Sequence, residues 1–333
     1  MTIIQKIKQA KLCGRGGASF PTADKWQMVK DAKAERKFIV CNASEGEPGI
    51  KKDFFLLENR PEIVIGGIRI ALEFLQAEKA YLYLNPEYFK LLASKLKNII
   101  GTYPIEVFAK AHDAGYVGGE ESSALNHIEN RRVEPRLKPP FPPVSGLWGC
   151  PTLINNVETF YAVYLINEDS YKNTRFYTVG GDCVYDGVYE LADGLSIAEV
   201  LHQSNNYPDF PFFVQVGGDM SGQVLNSSQL DAVVNGSASV TIHSLLKHNP
   251  MKLMRAWAEF YCRESCGQCV PCREGTYRLR EELTKNNLDW DLVLRLLDDL
   301  EESSFCGLGL SVKTPFKSYF DNVYSGDLRK QAF

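Results

Sequence analysis

The sequence predicts an α/β protein: a mainly parallel sheet with helices on both faces, then a small α+β unit, then a helical, cysteine-bearing end. Three observations predict it. From Met1 to about Thr174, short apolar runs alternate with helix-length stretches, the pattern of βα units laid into a parallel sheet. Beyond Tyr171 the runs shorten and lie between Gly and Asp turns. Near the end, four cysteines fall within eleven residues, Cys262 to Cys272.

Taken in order, Ile3, Ile4, Ile7, Ala10 and Leu12 fall at helical spacing. Phe38 to Cys41 is a short apolar run ending in a turn-rich loop, so it reads as a buried strand. A helical stretch runs from about Phe54 to Leu75, with Pro61 and the Gly66–Gly67 pair as candidate breaks. Ala80 to Leu84 and Ile105 to Ala109 are strand-like; Pro86 to Ile100 between them is helical, with proline at its start. A proline-rich loop over residues 136–143 precedes one helix near Thr152 to Ile166. Arg175 to Val184, Tyr185 to Leu191 and Phe212 to Val216 are β-prone, and Ser196 to Leu201 is helical. That mixture suits a β-grasp unit. From Ser244 onward, Leu245, Met254, Trp257, Phe260 and the run Leu288 to Leu300 look helical. The expected domains are 1–175, 176–247 and 248–333.

Composition narrows the function. A chain of 333 residues has room for two or three cores. The net charge of −4 and the lack of a basic run give no reason to expect nucleic acid. The longest apolar stretches, such as Ile63 to Leu75, are broken well before the ~20 residues that span a bilayer. The first residues lack the apolar core and cleavage site of a secretory signal. The expectation is a cytoplasmic protein without direct membrane insertion, at most peripheral at a membrane through partners.

The nine cysteines carry the first chemical signal. Crowding in a reducing compartment indicates metal or cluster binding, not a disulfide framework. Cys266, Cys269 and Cys272 form C-x2-C-x2-C, which lets three thiolates converge from one turn of chain, and a further cysteine downstream suits a [4Fe–4S] cluster. The fourth ligand is Cys306, in a glycine-rich turn where backbone can approach, or Cys262, which a helix leading into the loop would point away. A zinc site of four thiolates is the alternative, although zinc usually draws on two separated C-x2-C knuckles.

The loops supply the second signal. Gly14, Arg15, Gly16 and Gly17 lead into Ala18-Ser19-Phe20-Pro21. Such glycine density lets backbone N–H groups close on an anion such as a phosphate, although a flexible turn would look the same. It is not the G-x-G-x-x-G fingerprint, whose spacing differs. Lys25 lies close enough to complement a phosphate or to be an ordinary surface lysine. Asn42, Ser44, Glu45 and Glu47 follow the first strand, where open α/β sheets bind ligands, and can hydrogen-bond ribose or ribityl hydroxyls. Tyr116, Gly119, Glu120 and Glu121 open a helix after the third strand, and Asn155 and Asn156 lie in an otherwise apolar helix. Together these loops suit a flavin nucleotide, which takes up two electrons as hydride and releases them singly to a one-electron cluster.

The segments GRGGASFPTADKW, CNASEGEPGIKKD, YVGGEESSALNHIENRR, KPPFPPVSGLWGCPTLINNVET and ESCGQCVPCREGT occur in this order. From about residue 12 to the end, the chain resembles the flavoprotein subunit of complex I (NADH:quinone oxidoreductase) and the related diaphorase subunits of NAD-linked hydrogenases and formate dehydrogenases. The resemblance implies a Rossmann-like FMN domain, a β-grasp domain and a helical bundle holding one [4Fe–4S] cluster. It places Gly14, Arg15, Gly16, Gly17, Lys25, Asn42, Ser44, Glu45, Gly119, Glu120, Glu121, Asn155 and Asn156 around FMN. It places Phe20, Glu47, Tyr116, Lys138 and Phe141 around NADH, and Cys266, Cys269, Cys272 and Cys306 on the cluster. No side chain need act as acid or base; NAD(P)H would pass hydride to the flavin. Implied partners are a small thioredoxin-like [2Fe–2S] subunit and a larger iron–sulfur subunit or a hydrogenase, formate dehydrogenase or quinone module.

Departures from the family pattern stand beside the likeness. Ser44 replaces a usual Asp, Met28 a usual aromatic and Ser19 a customary Gly; the stretch from Cys272 to Cys306 is short, and the usual N-terminal extension is missing. The rival expectation they raise is an electron-transfer adaptor that keeps flavin and cluster but no longer uses a nicotinamide nucleotide.

Overall fold

The computed structural model describes residues 1–324, which divide into two compact units. The first comprises residues 1–46, 50–177 and 190–193; the second comprises residues 47–49, 178–189 and the rest of the described chain from Gly194.

In the first unit, helices α1 (Ile3–Gln9) and α2 (Thr22–Asp31) precede strand β1 (Phe38–Ala43). Then come α3 (Lys52–Asn59), α4 (Pro61–Leu75), β2 (Lys79–Leu84), α5 (Pro86–Ile100), β3 (Ile105–Ala109), α6 (Glu121–Ile128), β4 (Thr152–Asn156) and α7 (Val157–Asn167). The four strands are all parallel, in the order β3-β2-β1-β4. Alternation along β1 explains how both faces are covered. Phe38 and Val40 pack with Tyr81, Tyr83, Leu125 and Ile128 on the side of α6, while α4 and α7 cover the opposite face.

Pro61 does divide the predicted helix of residues 54–75, serving as the first residue of α4. The Gly66–Gly67 pair does not. A Cβ on Gly67 would stand 2.7 Å from the carbonyl carbon of Phe160 and closer still to its oxygen. These glycines let the backbones of α4 and α7 approach. The single helix expected over residues 152–166 is corrected: Thr152–Asn156 is the fourth strand, paired with β1 from Phe38 to Asn42, and the helix starts at Val157. Asn156 is its N-cap, accepting from the Glu158 N–H at 3.1 Å.

The remaining elements are β5 (Thr174–Gly181), β6 (Gly187–Ala192), α8 (Ile197–Gln203), β7 (Phe212–Val216), β8 (Gln223–Asn226) and β9 (Ser239–Ser244). Their sheet runs β6-β5-β9-β7-β8, with β5 parallel to β9 and β7 antiparallel to both β8 and β9. Strands β8 and β9 went unread in the sequence. Helices α9 (Pro250–Glu264), α10 (Val270–Thr284), α11 (Trp290–Ser303), α12 (Gly307–Ser311) and α13 (Lys313–Asn322) complete the unit. Ser244, expected to open the helical part, instead closes β9. No helix among the described residues is long and apolar enough to cross a membrane.

Candidate flavin and iron–sulfur sites

The strand order places β1 between β2 and β4, so the loops leaving β1 and β4 part at a crevice beyond the strands' carboxyl ends, where open α/β sheets take ligands. The glycine loop sits there. It is closed by the Gly14 N–H donating to the Phe20 carbonyl at 2.8 Å and by a bridge between Cys13 and Pro21. Gly17 has φ +107°, a region that favours glycine, and Ser19 adopts φ +51° despite its side chain. Gly16 lies so near the N-terminus of α7 that a Cβ on it would reach 3.3 Å from the Cβ of Asn156.

Arg15 is used by the scaffold. Its N–H donates to Thr159 Oγ1 at 3.0 Å, and its guanidinium donates to Asp193 Oδ2 at 2.8 Å and Tyr171 Oη at 3.1 Å. Only 5% of the residue is exposed. Lys25, in the first turn of α2, places Nζ 3.2 Å from the Ile154 carbonyl and 3.8 Å from Glu121 Oε2. Burial holds its pKa below the usual lysine value despite Glu121. Glu121 and Glu120 both receive Lys138 Nζ, at 2.8 and 2.7 Å. Glu120 also caps α6, accepting from the N–H groups of Ser122 and Ser123 at 2.9 Å each. Burial pushes its carboxyl up, but Lys138 and Ser122 pull it below the ordinary glutamate value.

Behind the loops lies a charged cluster that the sequence reading missed. Lys52 and Asp53 begin α3, are 2% and 3% exposed, and pair at 2.7 Å; Lys52 also reaches Glu158 Oε2 at 3.2 Å. Asn156 ties the cluster to β4, accepting from Lys52 Nζ at 2.8 Å and donating to Asp53 Oδ2 at 2.6 Å. Glu45 caps α3 from the other side. It accepts from the Asp53 N–H at 3.1 Å and from Tyr88 Oη at 2.7 Å. Burial first, and then the charge of Asp53, push its carboxyl up to about 7, against the opposing pull of Lys52 and Tyr88. Asn155 accepts from Trp26 Nε1 at 3.0 Å, and Asn42 donates to the Gly119 carbonyl at 2.9 Å. A Cβ on Gly119 would stand 2.6 Å from Ser44 Oγ, so these two residues fill one space. Asn155 and Asn156 thus sit at a strand end, not within the helix expected from sequence.

Of the residues set aside for the nucleotide, Phe20 and Phe141 leave about half their surface exposed, 45% and 51%, and Lys25 Nζ lies 5.9 Å from the Phe20 ring centroid. Lys138 is committed to the two glutamates, and Tyr116 begins the 3-10 turn that ends at Gly119. Glu47 counts with the second unit. Its carboxylate accepts from the Met220 and Ser221 N–H groups and from Ser221 Oγ.

In the second unit, Cys269 is the N-cap of α10, Cys272 lies in its first turn, and Cys306 is the N-cap of α12. Gly309 brings α12 against α10, since a Cβ there would be 3.3 Å from the Cβ of Cys272. Ser265 Oγ is 3.3 Å from Cys272 Sγ. Burial pushes the Cys272 thiol up to about 12; Ser265 opposes this, and the negative charge of Cys269, Cys306 and Cys266 adds to it. Those four sulfurs therefore share one neighbourhood. Cys262 faces Arg280, Glu259 and Glu281 instead. Among the described residues, no three His, Cys, Asp or Glu side chains form a group close enough to hold a metal ion.

An α/β unit with loops at its strand ends, joined to a helical segment carrying Cys266, Cys269, Cys272 and Cys306, has the architecture of a flavin- and iron–sulfur-binding protein. Residues 7–165 match the family model described as Nuo51 FMN-binding domain, and residues 252–325 match the NADH-ubiquinone oxidoreductase-F iron-sulfur binding region. The F subunit of the NADH-quinone oxidoreductase of Streptomyces coelicolor is 33% identical, over 97% of this chain and 82% of the relative. The alpha subunit of the NAD-reducing hydrogenase HoxS of Cupriavidus necator is 32% identical over 98% of this chain and 60% of its own length. The crystal structure of an NAD+-reducing [NiFe]-hydrogenase in the H2-reduced state superposes with a TM-score of 0.88 at 31% identity, covering 97% of this chain and 61% of that one. The present chain thus spans about three-fifths of these hydrogenase chains. It belongs to the family of NADH-quinone oxidoreductase F subunits.

Proposed function

We propose that this protein is the electron-input subunit of a larger NAD(P)H-linked oxidoreductase, carrying FMN in its first unit and a [4Fe–4S] cluster on the helices of its second. The observation that carries the reading is the pairing of the two family matches with the two sets of residues just described. Bound FMN supplies the exchange of hydride with nicotinamide and the release of electrons one at a time.

The protein's part is to hold and shape. The N–H groups of Gly16 and Gly17 and the desolvated ammonium of Lys25 suit the flavin phosphate. Arg15 fixes the loop from beneath, since its guanidinium is already bound to Asp193 and Tyr171. Asn42, Ser44, Asn155 and Asn156 line the strand ends with groups able to meet ribityl hydroxyls and the flavin's polar edge. Glu120 and Glu121 belong to the same set, their charges held by Lys138. Glu45 keeps the start of α3 in place. Phe20 and Phe141 offer aromatic faces to nicotinamide nucleotide, with Tyr116 and Lys138 of the same unit; Glu47, which counts with the second unit, is a further nucleotide residue in this reading. Cys266, Cys269, Cys272 and Cys306 are the cluster ligands in this reading, supported by the electrostatic contact of the other three with Cys272. Electrons then leave to partner iron–sulfur subunits, one small and of [2Fe–2S] type, one larger, in this reading; that relatives are named as subunits supports membership of a complex.

Anaerobic addition of NADH, and separately NADPH, to protein purified without air tests the reading. Bleaching of the flavin absorbance with either is the expected result. Unchanged absorbance with both would refute the dehydrogenase activity, and protein lacking flavin, iron and sulfide would refute the cofactors.

A further inference from the structure

Glu47 lies in a pocket of donors made by the loop Gly217-Gly218-Asp219-Met220-Ser221-Gly222, between β7 and β8. One carboxylate oxygen, Oε1, accepts from the Met220 N–H at 2.8 Å and the Ser221 N–H at 3.0 Å. The other, Oε2, accepts from Ser221 Oγ at 3.1 Å. A carboxylate has about four acceptor positions. Three are taken by this loop.

The loop is shaped for this contact. Gly218 has φ +133°, and a Cβ on it would stand 2.5 Å from the Glu47 carboxyl carbon. Gly49, two residues after Glu47, has φ +82°, and a Cβ there would stand 2.6 Å from the carboxyl carbon of Asp219. Asp219 is anchored in turn. Its carboxylate accepts from Thr241 Oγ1, and its carbonyl accepts from the indole N–H of Trp257, a fully buried residue of α9, at 3.1 Å. Glu47 therefore has little rotational freedom.

We infer that Ser221 is a positioning residue for nicotinamide-nucleotide recognition: with the Met220 N–H it fixes the Glu47 carboxylate in the orientation from which it meets a ribose hydroxyl. The inference rests on the proposed role of Glu47 at the nucleotide. Losing the Ser221 hydroxyl removes the one donor on Oε2 and frees that oxygen to turn or to be solvated. An interaction of this size is worth about three- to ten-fold in affinity.

The test is equilibrium binding of NAD+ to the oxidised holoprotein, which involves no electron transfer, alongside NADH titrations of KM and kcat with ferricyanide as acceptor. Ser221→Ala is expected to weaken NAD+ binding about three- to ten-fold and to raise KM more than it lowers kcat. Ser221→Thr, which keeps the hydroxyl, should recover most of the affinity. Gly218→Ala, which presses on the carboxylate itself, should weaken binding at least as much as Ser221→Ala at an unchanged flavin-to-protein ratio. Glu47→Ala separates the two layers of the argument. If it weakens NAD+ binding while Ser221→Ala leaves it unchanged, the positioning role is overturned and the nucleotide role of Glu47 stands. If Glu47→Ala leaves binding unchanged, the nucleotide role falls and the positioning role falls with it.

Discussion

The adjacent glycines of α4 give a paired perturbation whose two halves should differ. In Gly67→Ala, the new methyl would sit 2.7 Å from the carbonyl carbon of Phe160, about 1 Å inside normal carbon–carbon contact. The obstacle is backbone in the first turn of α7, so no side-chain rotation relieves it; the helices must part by about that distance. Overpacking of this kind costs roughly 1–3 kcal/mol, and the upper half of the range applies when backbone is struck. Alanine's better helix propensity returns about 1 kcal/mol. The net is a loss of about 1–2 kcal/mol, or roughly 2–8 °C in Tm for a unit of this size. In Gly66→Ala, the methyl meets the ring of Tyr164 at 2.5 Å, and that half-buried side chain can rotate away. Propensity then offsets most of the clash, leaving about 1 kcal/mol or less. Thermal denaturation of the two variants checks the difference. The flavin-to-protein ratio should fall only for Gly67→Ala, because shifting α7 moves its N-cap, Asn156, at the strand ends. Equal Tm values for the two variants would refute the claim that α4 and α7 meet backbone to backbone at Gly67.

Three further outcomes are expected. Glu45 should make the protein less stable as pH rises from about 4.5 to about 7: the folded carboxyl, pushed up to about 7, keeps a proton that the unfolded chain has released. The window is worth up to about 3 kcal/mol; Glu45→Gln should flatten the loss of stability between pH 5 and pH 8, and parallel profiles would count against it. Cys306→Ala should lower iron and sulfide content in anaerobically purified protein, whereas Cys262→Ala should leave it near wild type; the reverse pattern would exchange their roles. Ser19→Gly should raise stability by up to about 1 kcal/mol, because Ser19 holds φ +51°; an unchanged or lower Tm would show that the Ser19 side chain compensates locally.

The sequence showed those elements whose signal is local. Pro86–Ile100 and Ile105–Ala109 were read to the residue because proline and a change of period mark their ends. Strand β4 was lost because Thr-Leu-Ile-Asn-Asn runs without a turn into the apolar helix Val157–Asn167, so one window held two periods. Asn156 was the available clue: an amide before Val-Glu marks an N-cap. Strand β8, four residues long, is too short to carry a period of its own. At the site, the glycine loop and the cysteine triplet were legible because their spacing is itself the chemistry. The inward turn of Arg15, the capping by Glu45 and the burial of Lys52, Asp53 and Glu158 were not legible. In a linear reading such residues are simply polar, and only the packing of α3 on α7, and of α7 on β1, takes them out of water. Glu47 was visible as an acidic loop residue, but its partners at 220 and 221 lie far along the chain.

The sealed cluster at the start of α3 has an electrical consequence. At physiological salt, mobile ions screen exposed charges over roughly 8 Å but barely reach a pair under a closed surface. Lys52, held between Asp53 and Glu158, therefore acts as a fixed background field whose strength the surrounding electrolyte does not adjust. Varying ionic strength should leave the equilibrium between nicotinamide and flavin nearly still while altering how fast charged redox partners arrive. In this protein, salt is a means of separating collision from chemistry.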